Sequence, residues 1–132
     1  MLIMLDTNVL ISAFLIPSSR IQKMIDLIAK QHQIVLCSHI IDELHRVVKK
    51  KFPHRVDELE VFLCKLPYEL AYTPQKNIKL VDVNLRDPSD YPILNSAILA
   101  EADVLITGDN DFDDVDIEKP EILTPREFME AY

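Results

Sequence analysis

The chain is almost without glycine. Gly108 is the only one in 132 residues, so no glycine-rich loop can cradle a phosphate, which excludes P-loop and dinucleotide-fingerprint chemistry. Tryptophan is absent, and there are only two cysteines, Cys37 and Cys64. Two thiols in apolar surroundings suit reduced core residues of a cytosolic protein, not a disulfide framework. No apolar run approaches the roughly 20 residues that span a bilayer. The N-terminal run is broken by Asp6 and Asn8 and has no basic residues ahead of it, so neither a membrane span nor a signal peptide is expected. Positive charge is also short. Fourteen Lys and Arg face 22 Asp and Glu, for a net charge of −8. Such a chain repels nucleic acid at long range, so binding a polyanion requires a local basic face or bridging cations.

What is present is apolar and periodic. At 48% hydrophobic, the sequence is that of a globular chain, and its length fits one domain over 1–132. Leu2 to Leu5 are apolar on both faces, the pattern of a buried strand in a parallel sheet. A short turn or helix follows through Phe14, closed by Pro17. A helix capped by Ser18 or Ser19 carries Ile21, Met24, Ile25 and Ile28 at helical spacing to about Gln31. Ile34 to Cys37 form a second buried strand. Ser38 is placed as the cap of a helix to about Lys51, which Pro53 ends. A helix from about Arg55 to Leu66 follows and pairs with it as a hairpin. Glu69 to Tyr72 read as a weak strand, and Pro74 to Asp87 as loop. Asp90 and Pro92 open a helix to about Ala102. Val104 to Ile106 form another strand, Asp109 to Phe112 a turn or short helix, and Ile122–Leu123 a last strand. Thr124 caps a terminal helix begun by Pro125. Strands alternating with helices predict an α/β fold, a three-layer sandwich around a mostly parallel sheet.

Chemistry in open parallel sheets collects at the carboxyl ends of the strands. Asp6 ends the first strand, and Asp109 follows the Val104–Ile106 strand after Thr107 and Gly108. Glu43 and Asp90 lie in first turns of helices that begin near the same rim. At 100° per residue, Glu43 falls about 40° from Val47, at the edge of an apolar stripe, and Asp90 about 40° from Leu94, within the stripe of Leu94, Ala97 and Ile98. Asp42 points away and reads as solvated. Each acid also has an ordinary reading: Asp6 and Asp90 as helix caps, Glu43 as a surface helix acid, Asp109 and Asp111 as turn residues. Gathered together, four carboxylates repel unless a cation joins them. Oxygen-only ligands point to Mg²⁺ or Mn²⁺ rather than structural zinc. The lone Gly108 suits a tight turn or positive φ. Arg46, Lys49, Lys50, Lys51, His54 and Arg55 form the one basic cluster. It reads as a solvated helix end or as a phosphate-contacting edge.

The segments LDTNVLIS, SHIIDEL, RDPSDYPILNSAI and DVLITGDNDF, in that order, resemble a PIN domain. The similarity runs from Leu2 to Phe112, and within the family it is nearest to the VapC-like toxins of toxin–antitoxin systems. The resemblance implies a PIN-like fold and a cytoplasmic, metal-dependent endoribonuclease cutting single-stranded or looped RNA. It places metal-site acids at Asp6, Glu43, Asp90 and Asp109, with Asp111 as an additional acid and Asn8 and Thr107 as supporting residues. Arg46, Lys49, Lys50 and Arg55 are the candidate RNA contacts. A cognate antitoxin and a homodimer are the implied partners. Many relatives carry a second acid directly after the position of Asp90. Here Tyr91 stands there, so Asp87 stays open as the helix-start ligand. Two other readings compete: a phosphatase with Asp6 as nucleophile, which lacks the acid two residues on because Asn8 occupies it, and an inactive PIN-fold module that binds RNA or protein.

Overall fold

A computed structural model of the protein describes residues 1–74, 85, 90–108, 112 and 117–132. Asp87, Asp109, Asp111 and most of the expected Pro74–Asp87 loop lie outside these residues. Five strands form one sheet: β1 (Leu2–Leu5), β2 (Gln33–Cys37), β3 (Tyr68–Ala71), β4 (Val104–Ile106) and β5 (Glu121–Leu123). Their order is β3-β2-β1-β4-β5 and each pairing is parallel. The expected parallel α/β architecture is what forms, and the strand that ends on Asp6 is its centre. Ile3, Met4 and Leu5 are fully buried, as a strand covered on both faces must be.

The helices are α1 (Thr7–Leu15), α2 (Arg20–Gln31), α3 (Ser38–Lys51), α4 (Val56–Lys65), α5 (Tyr91–Leu99) and α6 (Pro125–Ala131), with a 3-10 turn at Pro53–Arg55. Their apolar stripes build one core from Val9, Leu10, Met24, Ile25, Ile28, Leu44, Leu59, Leu94 and Phe128 against the sheet. Caps read from the sequence hold at Asp6, Ser19 and Thr124. The Ser19 side chain accepts the Gln22 N–H, and Thr124 with Glu127 closes a full capping box, satisfying otherwise orphaned amides.

Four expectations need correction. Ser38 is not the cap of α3 but its first residue. Cys37 holds the N-cap position, where its side chain makes no capping hydrogen bond. Cys64 is exposed, although Cys37 is buried; it lies off the α4 stripe set by Leu59 and Leu63. The helix expected to reach Ala102 ends at Leu99 because the chain turns left-handed at Glu101, with φ of 58°. The Ala102 N–H returns to the Ala97 carbonyl and the Glu101 N–H to that of Ile98, a Schellman closure with glutamate where glycine is usual. Finally, Gly108 does not have positive φ, and a Cβ there would meet only the Asn8 side chain, 3.9 Å away.

Candidate active site at the carboxyl rim

Because all five strands run the same way, their carboxyl ends define one rim. Asp6, Ser38, Tyr72, Thr107 and Thr124 follow directly on them. Asp6 is the most constrained. Its backbone N–H donates to the Ile106 carbonyl at 3.0 Å, extending the ladder between β1 and β4 by one step. Its side chain is 4% exposed. One carboxylate oxygen accepts the Thr7 N–H at 2.7 Å, and the other accepts the Thr107 hydroxyl, also at 2.7 Å. A carboxylate withdrawn from water costs several kcal/mol unless bonded, and two short charge-assisted hydrogen bonds, each worth about 1.5–3 kcal/mol, offset that cost. The carboxylate therefore caps α1 and also spans two strands. Beside it, the Thr7 hydroxyl is buried with no hydrogen-bond partner among the described residues.

Asn8 lies across from Thr107 and Gly108. Its side-chain oxygen accepts the Gly108 N–H at 3.4 Å, and the two residues line a cleft of about 260 Å³ with Ser12, Ile21 and Pro125. Of the two expected supporting residues, Thr107 bonds Asp6 directly, whereas the Asn8 side chain bonds Gly108. Asp90 is buried at the start of α5, and its side chain makes no capping bond there. Glu43 is one-third exposed on α3, with the His39 ring nitrogen 3.8 Å from its carboxylate. Asp109 and Asp111 lie outside the described residues.

A hydroxyl network that the sequence did not reveal ties the helix starts together. The α3 amide of His39 donates to the Thr73 hydroxyl at 3.0 Å, and the Thr73 N–H donates to the Ser38 hydroxyl at 2.9 Å. Thr73 also lies 3.1 Å from the Ser96 hydroxyl, which reaches the Pro92 carbonyl at 2.7 Å. One hydroxyl carries one proton. The consistent polarity runs from the His39 N–H into Thr73, from Thr73 into Ser96, and from Ser96 into Pro92. Thr73 is therefore the cap that Cys37 cannot be, supplied from a position 34 residues away. It also links the first turn of α3 to Ser96 in the second turn of α5. The only local hint was the lack of a capping side chain at Cys37.

A comparison with protein families finds the PIN domain over residues 2–111. The chain belongs to the PIN domain family. Its fold is similar to that in the crystal structure of VapBC2 from Rickettsia felis bound to a DNA fragment from their promoter, with a TM-score of 0.67 and 22% identity over 93% of this chain and 97% of that one. No curated protein matches the chain. In this PIN domain, every donor atom the rim acids and their supports offer is oxygen or amide, a set that suits a hard divalent cation. The buried, pre-oriented Asp6 carboxylate beside the unsatisfied Thr7 hydroxyl fits such an ion. Among the described residues, no three His, Cys, Asp or Glu side chains group closely enough to hold one.

The basic cluster stands elsewhere. Helix α3 starts at the carboxyl rim and runs away from it, so its last turn, with Lys49 and Lys50, lies roughly 15–20 Å from its first at 1.5 Å per residue. Arg55 is engaged with the Glu58 carboxylate at 2.9 Å and lies 4.7 Å over the Phe14 ring.

Proposed function

We propose that this PIN domain is a Mg²⁺- or Mn²⁺-dependent endoribonuclease, the toxin of a toxin–antitoxin pair acting in the cytoplasm as one domain over 1–132. The partners this reading expects are RNA as substrate, a protein antitoxin and a second copy of the chain. The observation that carries it is the buried Asp6 carboxylate, fixed from both sides at the rim of the central strand. Family membership supports nuclease chemistry, and the likeness to VapBC2 supports the toxin assignment. Among the described residues, no helix is long and apolar enough to cross a membrane.

In this reading Asp6, Glu43, Asp90 and Asp109 hold the ion, with Asp111 as an additional acid. When bound, the ion supplies a more acidic water and offsets negative charge at the phosphate. The chain's own residues do the positioning. Thr107 and the Thr7 amide fix both oxygens of Asp6, and Asn8 turns its side chain into the adjoining cleft. The phosphatase alternative lacks its second acid, because Asn8 bonds Gly108 where a carboxylic acid would be needed.

Cleavage of a labelled RNA with Mn²⁺, with EDTA, and by Asp6→Asn tests the proposal. Asparagine can accept from the Thr7 amide and donate to the Thr107 hydroxyl, so the variant is expected to fold and to lose cleavage at least 100-fold, in the range typical of an essential catalytic group. RNA that is bound but never cut under Mn²⁺ would instead indicate an inactive binding module.

A further inference from the structure

A cleft of about 660 Å³ opens between α2 and α6, lined by Arg20, Arg126, Glu130 and the exposed Met129, with the buried Met24 at its floor. It shares Ile21 and Pro125 with the smaller cleft at Asn8 and Gly108, so the two form one path leading to the Asp6 rim. Topology puts both arginines on that rim. Helix α2 ends where β2 begins, at the amino edge of the sheet, so Arg20, its first residue, lies at the opposite end. Helix α6 begins directly after β5, with Arg126 in its first turn. Two cations and one anion make the path locally positive in a chain of net charge −8. Arg126 is paired with Glu130 at 3.2 Å, but its side chain is 88% exposed, and an exposed pair of this kind is weak enough for a phosphate to displace. The lysines of α3 sit at the far edge and cannot serve the same strand near Asp6.

We propose that this cleft binds the ribose–phosphate backbone of single-stranded RNA flanking the cut, with Arg20 and Arg126 each on a phosphate and the exposed Met129 side chain against the sugars and bases. The assignment rests on the nuclease reading only for the word "cut"; binding is tested separately. A labelled single-stranded oligouridine is titrated in EDTA across a salt series, with wild type, Arg20→Gln/Arg126→Gln and Lys49→Gln/Lys50→Gln. Each phosphate contact on a single strand contributes about 0.7 to the salt slope. The arginine double variant should lower the slope by about 1.4 and weaken binding about 25-fold at 0.1 M salt, while the lysine variant changes binding less than twofold. Both arginines are exposed, so loss of fold is not expected, and a circular dichroism melt checks it. An unchanged slope in the arginine variant, loss confined to the lysine variant, or no RNA binding by wild type each overturns the proposal. If wild type still cuts RNA with Mn²⁺ in any of those cases, the nuclease reading stands without the cleft. If wild type does not cut but the arginines carry the slope, the cleft stands without the nuclease reading.

Discussion

Replacing Thr107 by valine removes one hydroxyl while keeping the shape of the side chain. That hydroxyl donates to an Asp6 oxygen at 2.7 Å in a site where Asp6 is 4% and Thr107 2% exposed. No water is positioned by exposure to replace it, so the carboxylate loses a charge-assisted partner and stays buried. Such a loss costs about 1.5–3 kcal/mol. For a chain of this length, 1 kcal/mol lowers Tm by roughly 4 °C, so Thr107→Val should melt about 6–12 °C below wild type, with an unchanged urea m-value. Thr107→Ser keeps the donor and loses one methyl, so it should cost about 1 kcal/mol. Thermal and urea melts on the three proteins decide it. A valine variant within 0.5 kcal/mol of wild type, or a serine variant harmed as much as the valine one, would refute the claim that this hydroxyl supports the Asp6 charge.

Thr73→Val removes the distant cap of α3 and breaks the relay to Ser96. Urea melts should show a loss of about 1–2 kcal/mol, and Thr73→Ser should recover most of it. Glu101→Gly relieves a left-handed residue at the end of α5 and should raise stability by about 1 kcal/mol, read as a higher Tm. The imidazolium of His45 is favoured by the Ile41 carbonyl at 2.8 Å and then by Glu60, against partial burial, so its pKa lies above the usual 6.5. Its contribution to joining α3 and α4 is complete below about pH 6.5 and fades as pH rises through the higher folded value. Wild-type Tm should therefore drop as pH rises above the usual 6.5, and His45→Gln should flatten that drop.

The sheet was legible because its three inner strands, β1, β2 and β4, are short, apolar and buried almost throughout, and because each strand is followed by polar residues where the chain must turn. The rim was legible for the same reason: a carboxylate at the end of an all-apolar strand such as β1 has few places to go. Local signals found Ser19, Thr124 and Asp6. They failed where a partner is distant in sequence. Ser38 looked like a cap because it opens a helix, yet Thr73 takes that role and Ser38 accepts from it. They failed again at Glu101, where the Schellman bonds of α5 override the usual preference for glycine. The charge of Lys49 and Lys50 is plain in sequence, but their distance from Asp6 follows only from the direction of α3. Cys64 looked like core because of its neighbours, but helical phase turns it outward.

The central claim is that the carboxyl rim around Asp6 holds a divalent cation. Anomalous diffraction from crystals soaked in saturating Mn²⁺ tests it most directly. The account predicts one strong peak within coordination distance of an Asp6 oxygen, with Asp90, Glu43 or Asp109 completing the ligand set, and its disappearance in Asp6→Asn crystals soaked identically. An empty rim at saturating Mn²⁺, or a peak that survives the substitution, would contradict it.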